Sequence, residues 1–146
     1  MTEVPDHQHT VSNGKRDVTL DELARTQPGL DRLMAEIGPR MHRLYYSGLV
    51  GNWPAAGYFH RSTVKQLRLC AWSRPKYAQA IGRYVDEECA QVAVAIDNGD
   101  RDAFVSAYER MVEKANDYHR SFGYGFLVWK TPGHPPDDLD LEPVAD

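Results

Sequence analysis

At 146 residues the chain has the length of one domain. A chain of this size buries roughly two-thirds of its unfolded surface, enough for a core without cross-links. It carries 17 Lys and Arg against 21 Asp and Glu, a net charge of −4 with no local basic cluster, which argues against a nucleic-acid partner. No stretch approaches the roughly 18–20 apolar residues of a membrane span, and the polar start has no secretory apolar run. A cytoplasmic protein without a membrane partner is the expectation.

Residues 1–17 are polar, with Pro5, Gly14 and little to bury, and are expected to be disordered. Thr19-Leu20-Asp21-Glu22 has the capping-box pattern of a short helix. That helix stops near Gln27-Pro28-Gly29, because the residue before a proline is pushed away from helical angles. Leu30, Leu33, Met34, Ile37, Met41, Leu44, Tyr45 and Gly48 then recur at three- and four-residue steps, the spacing of an amphipathic helix. Gly38-Pro39 inside it predicts a bend or a split.

Asn52 is an N-cap, with Pro54 tolerated in the first turn. The helix it opens runs to about Trp72 on an inward stripe of Trp53, Ala56 or Gly57, His60, Val64, Leu67 and Ala71. Ser73-Arg74-Pro75 opens a third long helix, with Tyr77, Ile81, Tyr84, Val85, Glu88, Cys89, Val92 and Ile96 inward, stopped at Asp97-Asn98-Gly99. Asp100 caps the fourth, whose stripe is Phe104, Ala107, Tyr108, Met111, Val112, Ala115, His119 and Phe122. The apolar residues 126–129 are expected to pack across the helices as an extended segment. Residues 133–146, rich in Pro and Asp, are expected to form a flexible tail. Long helices joined by short turns predict an all-α, antiparallel four-helix bundle over residues 18–132. Cys70 and Cys89 lie on separate predicted helices without metal-ligand spacing and read as buried free thiols.

Three segments carry a resemblance. Asn52-Trp53 opens one helix, followed by Ala56 and Tyr58. Arg74-Pro75-Lys76-Tyr77 opens the next. Ala115-Asn116-Asp117-Tyr118-His119 ends the last, followed by Gly123, Phe126 and Pro132. Together they resemble the bacterial four-helix-bundle cytochromes related to cytochrome c′, over roughly residues 28–132. In those proteins the last helix ends in Cys-Asn-Ala-Cys-His. Here Ala115 and Tyr118 stand in place of both cysteines, so covalent haem attachment is impossible at this site, while the histidine remains. Cytoplasmic placement is consistent with that loss, since c-type haem is normally attached outside the cytoplasm. The resemblance implies non-covalent haem b, with His119 as the proximal ligand.

His119 has two readings: a hydrogen-bonded bundle histidine, or an axial ligand to haem iron or another metal, a role suited to neutral imidazole. His60 on an apolar stripe needs a partner, because an unsatisfied buried polar group costs roughly 1–3 kcal/mol. It is either a satisfied core histidine or part of the opposite face of a site. In an up-down bundle His60 and His119 sit at opposite heights. Met41 is core filler or a thioether ligand. Tyr45, Tyr58, Tyr84, Tyr108, Tyr118, Trp53 and Trp72 are expected to make an aromatic-rich interior, mostly packing, that with its hydroxyls turned inward would also suit a flat ligand. His42 points away from Met41, and His7, His9 and His134 read as solvated. Glu88 is a candidate acid or base if a pocket reaches it. Di-iron, phosphate-loop and nucleophile motifs are absent.

The leading expectation is a bundle that binds a flat hydrophobic cofactor, best guess haem b, in a redox, sensing or haem-enzyme role. Cofactor-binding candidates are His119, Met41, His60, Trp53, Tyr118 and Phe122, with His119 as the metal ligand. Two alternatives stay open. One is a haem-less scaffold or homodimer using residues 126–129. The other is a small cofactor-free enzyme built on Tyr, Glu88 and His119.

Overall fold

The computed structural model describes residues 9–145. It is mostly helical, all-α apart from one short hairpin. The hairpin corrects the expectation of disorder for the described part of residues 1–17. The remainder of that stretch, His7 included, lies outside the described residues. Strands β1 (Thr10–Ser12) and β2 (Asp17–Thr19) pair antiparallel with Val11 opposite Val18. Asn13-Gly14 is the turn signal behind it. The Asn13 side chain accepts from the Lys15 and Arg16 amides, both at 2.9 Å, and Gly14 takes φ +82°, which glycine adopts without strain. Val18 is buried, which anchors the hairpin.

Helix α1 (Leu20–Arg25) starts in the capping box expected at Thr19 and Glu22. Helices α2 (Leu30–Ala35) and α3 (Ile37–Leu49) are the expected split helix. The break falls at Glu36, upstream of Gly38-Pro39. That shift leaves Pro39 in the first turn of α3, where its missing N–H has no helical partner to lose.

Helix α4 (Trp53–Ser73) begins at Asn52, whose side chain accepts from the Ala55 amide at 3.2 Å. A 3₁₀ turn (Pro75–Tyr77), helix α5 (Ala78–Tyr84), a π turn (Val85–Cys89) and helix α6 (Ala90–Asp97) follow end to end. Helix α7 (Arg101–Ser121) is capped by Asp100.

The core lies between these helices. Leu44, Phe104, Tyr108, Met111 and Val92 are almost wholly buried. Its two deepest tyrosines are satisfied: Tyr108 donates to the Met41 carbonyl at 3.0 Å and Tyr84 to the Met111 carbonyl at 2.9 Å. A buried hydroxyl left without an acceptor would cost about 1–3 kcal/mol. Cys70 and Cys89 are buried free thiols, and burial pushes Cys89 up to about 12.

Residues 133–145, expected to form a flexible tail, have no regular structure but make several contacts with the helices. The His134 carbonyl accepts from His42 Nε2 at 2.6 Å, Asp138 pairs with Arg43, and Asn52 Nδ2 donates to the Leu141 carbonyl. Leu141 is buried, which gives an otherwise polar stretch an apolar anchor. His134 is exposed but also packs edge-on against His42.

Candidate functional site

Helix α7 ends in a Schellman motif. The Gly123 amide donates to the Arg120 carbonyl and the Tyr124 amide to the His119 carbonyl, 2.7 Å away. Gly123 takes φ +83° to make the turn. The chain then doubles back as a strap along the last turns of α7. Asn116 holds it by a reciprocal pair, Nδ2 donating to the Trp129 carbonyl at 2.8 Å and Oδ1 accepting from the Trp129 amide at 2.7 Å. His119 Nδ1 lies 2.9 Å from the Leu127 carbonyl and donates to it.

Side chains alternate along the extended strap. Leu127 and Trp129 line a cavity, Leu127 with about half of its surface still open (47%), while Phe126 and Val128 face outward, 77% and 69% exposed. The expected packing of residues 126–129 across the helices is therefore half right. Trp129 packs on the core, and its far ring edge would lie 3.6 Å from a Cβ at Gly38, so α3 offers it a flat seat.

The cavity holds about 460 Å³, within the range of small-molecule sites. Leu30, Met34, Ile37 and Met41 wall it from α2 and α3. Tyr77, Ala80, Ile81 and Tyr84 wall it opposite. Ala115, Tyr118, His119 and Phe122 come from α7, and Leu67 closes it from α4. Polar groups are few. Tyr77 and Tyr124 bring their hydroxyls to 3.5 Å of each other at the strap, and Asp31 is the one carboxylate in the lining. The Tyr77 hydroxyl is held below its ordinary value by Tyr124 and by Lys76, whose ammonium stands 4.8 Å over the ring; Tyr124 is raised in return. Burial raises Tyr84 well above the ordinary tyrosine value, so it stays a neutral donor.

Four of the six predicted residues, Met41, Tyr118, His119 and Phe122, meet in this cavity. His60 and Trp53 do not line it. His60 Nε2 donates to the Cys89 carbonyl at the end of the π turn, 2.7 Å away, so it is a satisfied core histidine. Burial lowers its pKa below 6.5, outweighing the opposite pull of the Cys89 bond. Trp53 packs edge-on against Phe104 at the N-terminal ends of α4 and α7, remote from the turn that follows α7. Glu88 is also outside the cavity, and its Oε2 is buried without a hydrogen bond among the described residues. Asn116 and Tyr77 are site residues that the sequence reading does not single out; of the expected aromatic interior Tyr84 lines the cavity, whereas Tyr58 and Trp72 are exposed on the outer side of α4. For Asn116 the signal was present: an amide one turn before the histidine, facing a downstream apolar pair spaced by two.

The donor set decides what metal chemistry the cavity suits. Among the described residues no group of three or more His, Cys, Asp and Glu side chains converges. A metal caged by side chains alone finds no cage there. A metal carried in a flat macrocycle needs an axial ligand and apolar walls, and among the lining residues His119 is the one that could serve as that ligand, with Met41, Tyr118 and Phe122 as walls. The Nδ1–H bond to a backbone carbonyl is the outer contact that orients a ligating imidazole and leaves Nε2 as its basic nitrogen. His119 Nε2 makes no hydrogen bond among the described residues. No described helix is long and apolar enough to cross a membrane. Comparison of the chain with protein-family models, curated proteins and solved structures finds no match to any of them.

Proposed function

We propose that the chain is a four-helix bundle of the cytochrome c′-like kind that holds a flat apolar ligand beneath its C-terminal strap. Haem b, bound through His119 Nε2, is the ligand that fits best. The single observation that carries this reading is the convergence of His119, its Nδ1 already engaged by the Leu127 carbonyl, with Met41, Tyr118 and Phe122 on one apolar cavity. Bound haem would supply an iron centre able to exchange electrons or bind a small gas molecule. The chain's own part is to offer one imidazole nitrogen, to cover one side of the ligand with Leu127 and Trp129, and to place the Met41 thioether on the same cavity. Lys76, whose ammonium stands over the ring of the lining residue Tyr77, is the nearby cation that a ligand carboxylate could meet. A cytoplasmic setting agrees with the missing cysteines.

Titration of the purified protein with hemin tests the reading. The expected result is a saturable Soret band at one equivalent, lost or strongly shifted in His119→Ala. An identical band in that variant rules out this ligand. A second reading, a homodimer across the outer face of the strap, is favoured by the exposure of Phe126 and Val128. Light scattering decides it: a strict monomer at high concentration removes it.

A further inference from the structure

Asn116 lies three residues before His119 on α7, so the two side chains leave neighbouring turns of one helix face. Both reach the returning strap. Asn116 exchanges two hydrogen bonds with the Trp129 backbone, at 2.7 and 2.8 Å. His119 makes one with the Leu127 carbonyl, at 2.9 Å. Leu127 and Trp129 are two apart in an extended segment and so share a side. The carbonyl that meets the imidazole is thus held by a residue that makes no bond to the imidazole. A neutral histidine has two tautomers, and an acceptor at Nδ1 selects the one protonated there.

We propose that Asn116 is a positioning residue. It fixes the strap so that the Leu127 carbonyl keeps His119 in the Nδ1–H form, with Nε2 as the basic nitrogen of a side chain lining the cavity. This deepens the ligand-binding reading and rests on it for its consequence, but the tautomer belongs to the ligand-free protein and is measured there.

The experiment is a long-range proton–nitrogen spectrum of the ¹⁵N-labelled ligand-free protein, recorded with His119 neutral. In the wild type the expected pattern has Nδ1 at the shift of a protonated nitrogen and Nε2 at that of an unprotonated one. In Asn116→Ala the two shifts converge as the tautomers mix. The Trp129 amide then exchanges roughly tenfold faster or more, the order expected for losing a pair of hydrogen bonds. Asn116→Asp keeps the acceptor for the Trp129 amide and loses the donor to its carbonyl. It should give a partial shift, and it serves if the alanine variant does not fold. His119→Ala should leave the Trp129 amide protected, which places Asn116 ahead of His119 in the chain of contacts. Unchanged His119 shifts in a variant whose Trp129 amide is released overturn the proposal, as does a wild-type His119 protonated at Nε2. A tautomer change in a protein that ignores hemin supports the positioning role and removes the haem reading. Hemin binding with an unmoved tautomer does the reverse.

Discussion

Replacing Ala115 with leucine should raise stability and weaken ligand binding together. Ala115 is half-buried on α7, and its methyl lines the cavity. Leucine adds three carbons, which at about 0.8 kcal/mol per buried CH₂ sets an upper bound of about 2.4 kcal/mol. The cavity is open on one side and α7 already has its best helix former at this position, so about 1 kcal/mol is the working value. For a domain of this size that raises Tm by roughly 3–4 °C. A helical leucine leans toward the preceding turn. Its methyls therefore enter the space beneath His119 without displacing the imidazole, four residues later. Space lost to those methyls is lost to the ligand, and hemin affinity should fall about tenfold, equivalent to about 1.4 kcal/mol. Urea titration with an unchanged m-value reports the first effect and hemin titration the second. A lower Tm together with unchanged hemin affinity would refute the claim that the cavity reaches Ala115. If the wild type binds no hemin, the stability half still tests the cavity.

Gly48 and Gly82 should answer an alanine substitution with opposite signs. A methyl at Gly48 meets the ring of the fully buried Phe104, with Cδ1 at 2.6 Å, so overpacking of about 1–3 kcal/mol outweighs the roughly 1 kcal/mol gained in helix propensity. A methyl at Gly82 meets nothing within 4 Å, and Gly82→Ala should stabilise by about 0.5–1 kcal/mol. Equal denaturant midpoints for the two variants would contradict this packing. For His60, burial lowers the folded-state pKa below 6.5, so the unfolded chain binds more protons between the two values. Its contribution is complete above pH 6.5 and falls away as pH drops through that window. His60→Gln can still donate to the Cys89 carbonyl, and it should flatten the acid side of the wild-type stability profile. An unaltered profile would place the acid sensitivity elsewhere.

Much of the helical order was legible because its boundaries are chemical. Asn52-Trp53-Pro54 and Asp97-Asn98-Gly99-Asp100 start or stop helices by caps and turns that need no tertiary context. The convergence of Met41, His119 and Phe122 is legible because apolar stripes and a terminating glycine fix which side chains face inward; Tyr118 lies off that stripe and enters only through the aromatic interior and the resemblance. The hairpin was overlooked although Asn13-Gly14 announces it, since the polarity of its surroundings outweighed the turn signal. The role of His60 was not legible. Its partner is a backbone carbonyl at the end of a π turn, and nothing in residues 85–89 marks that departure from α-helical hydrogen bonding. For Trp53 the stripe says that a ring turns inward but not at which end of the helices. The hold on residues 133–145 depends on Arg43, His42 and Asn52, some ninety positions away in the chain.

The strap also has a kinetic consequence. At Leu127 and Trp129 the wall is one extended segment thick, with Phe126 and Val128 already in solvent on its outer side. Lifting that segment off α7 breaks three side-chain hydrogen bonds, two at Asn116 and one at His119, and leaves the helical core closed. A guest wider than the cavity's open side would have to wait for that lift, so its rate of exchange and its affinity would answer to different parts of the molecule. For such a guest, changes at Asn116 would alter how fast it comes and goes in addition to their effect on His119, and changes at Met41 or Tyr118 would act on how tightly it is held.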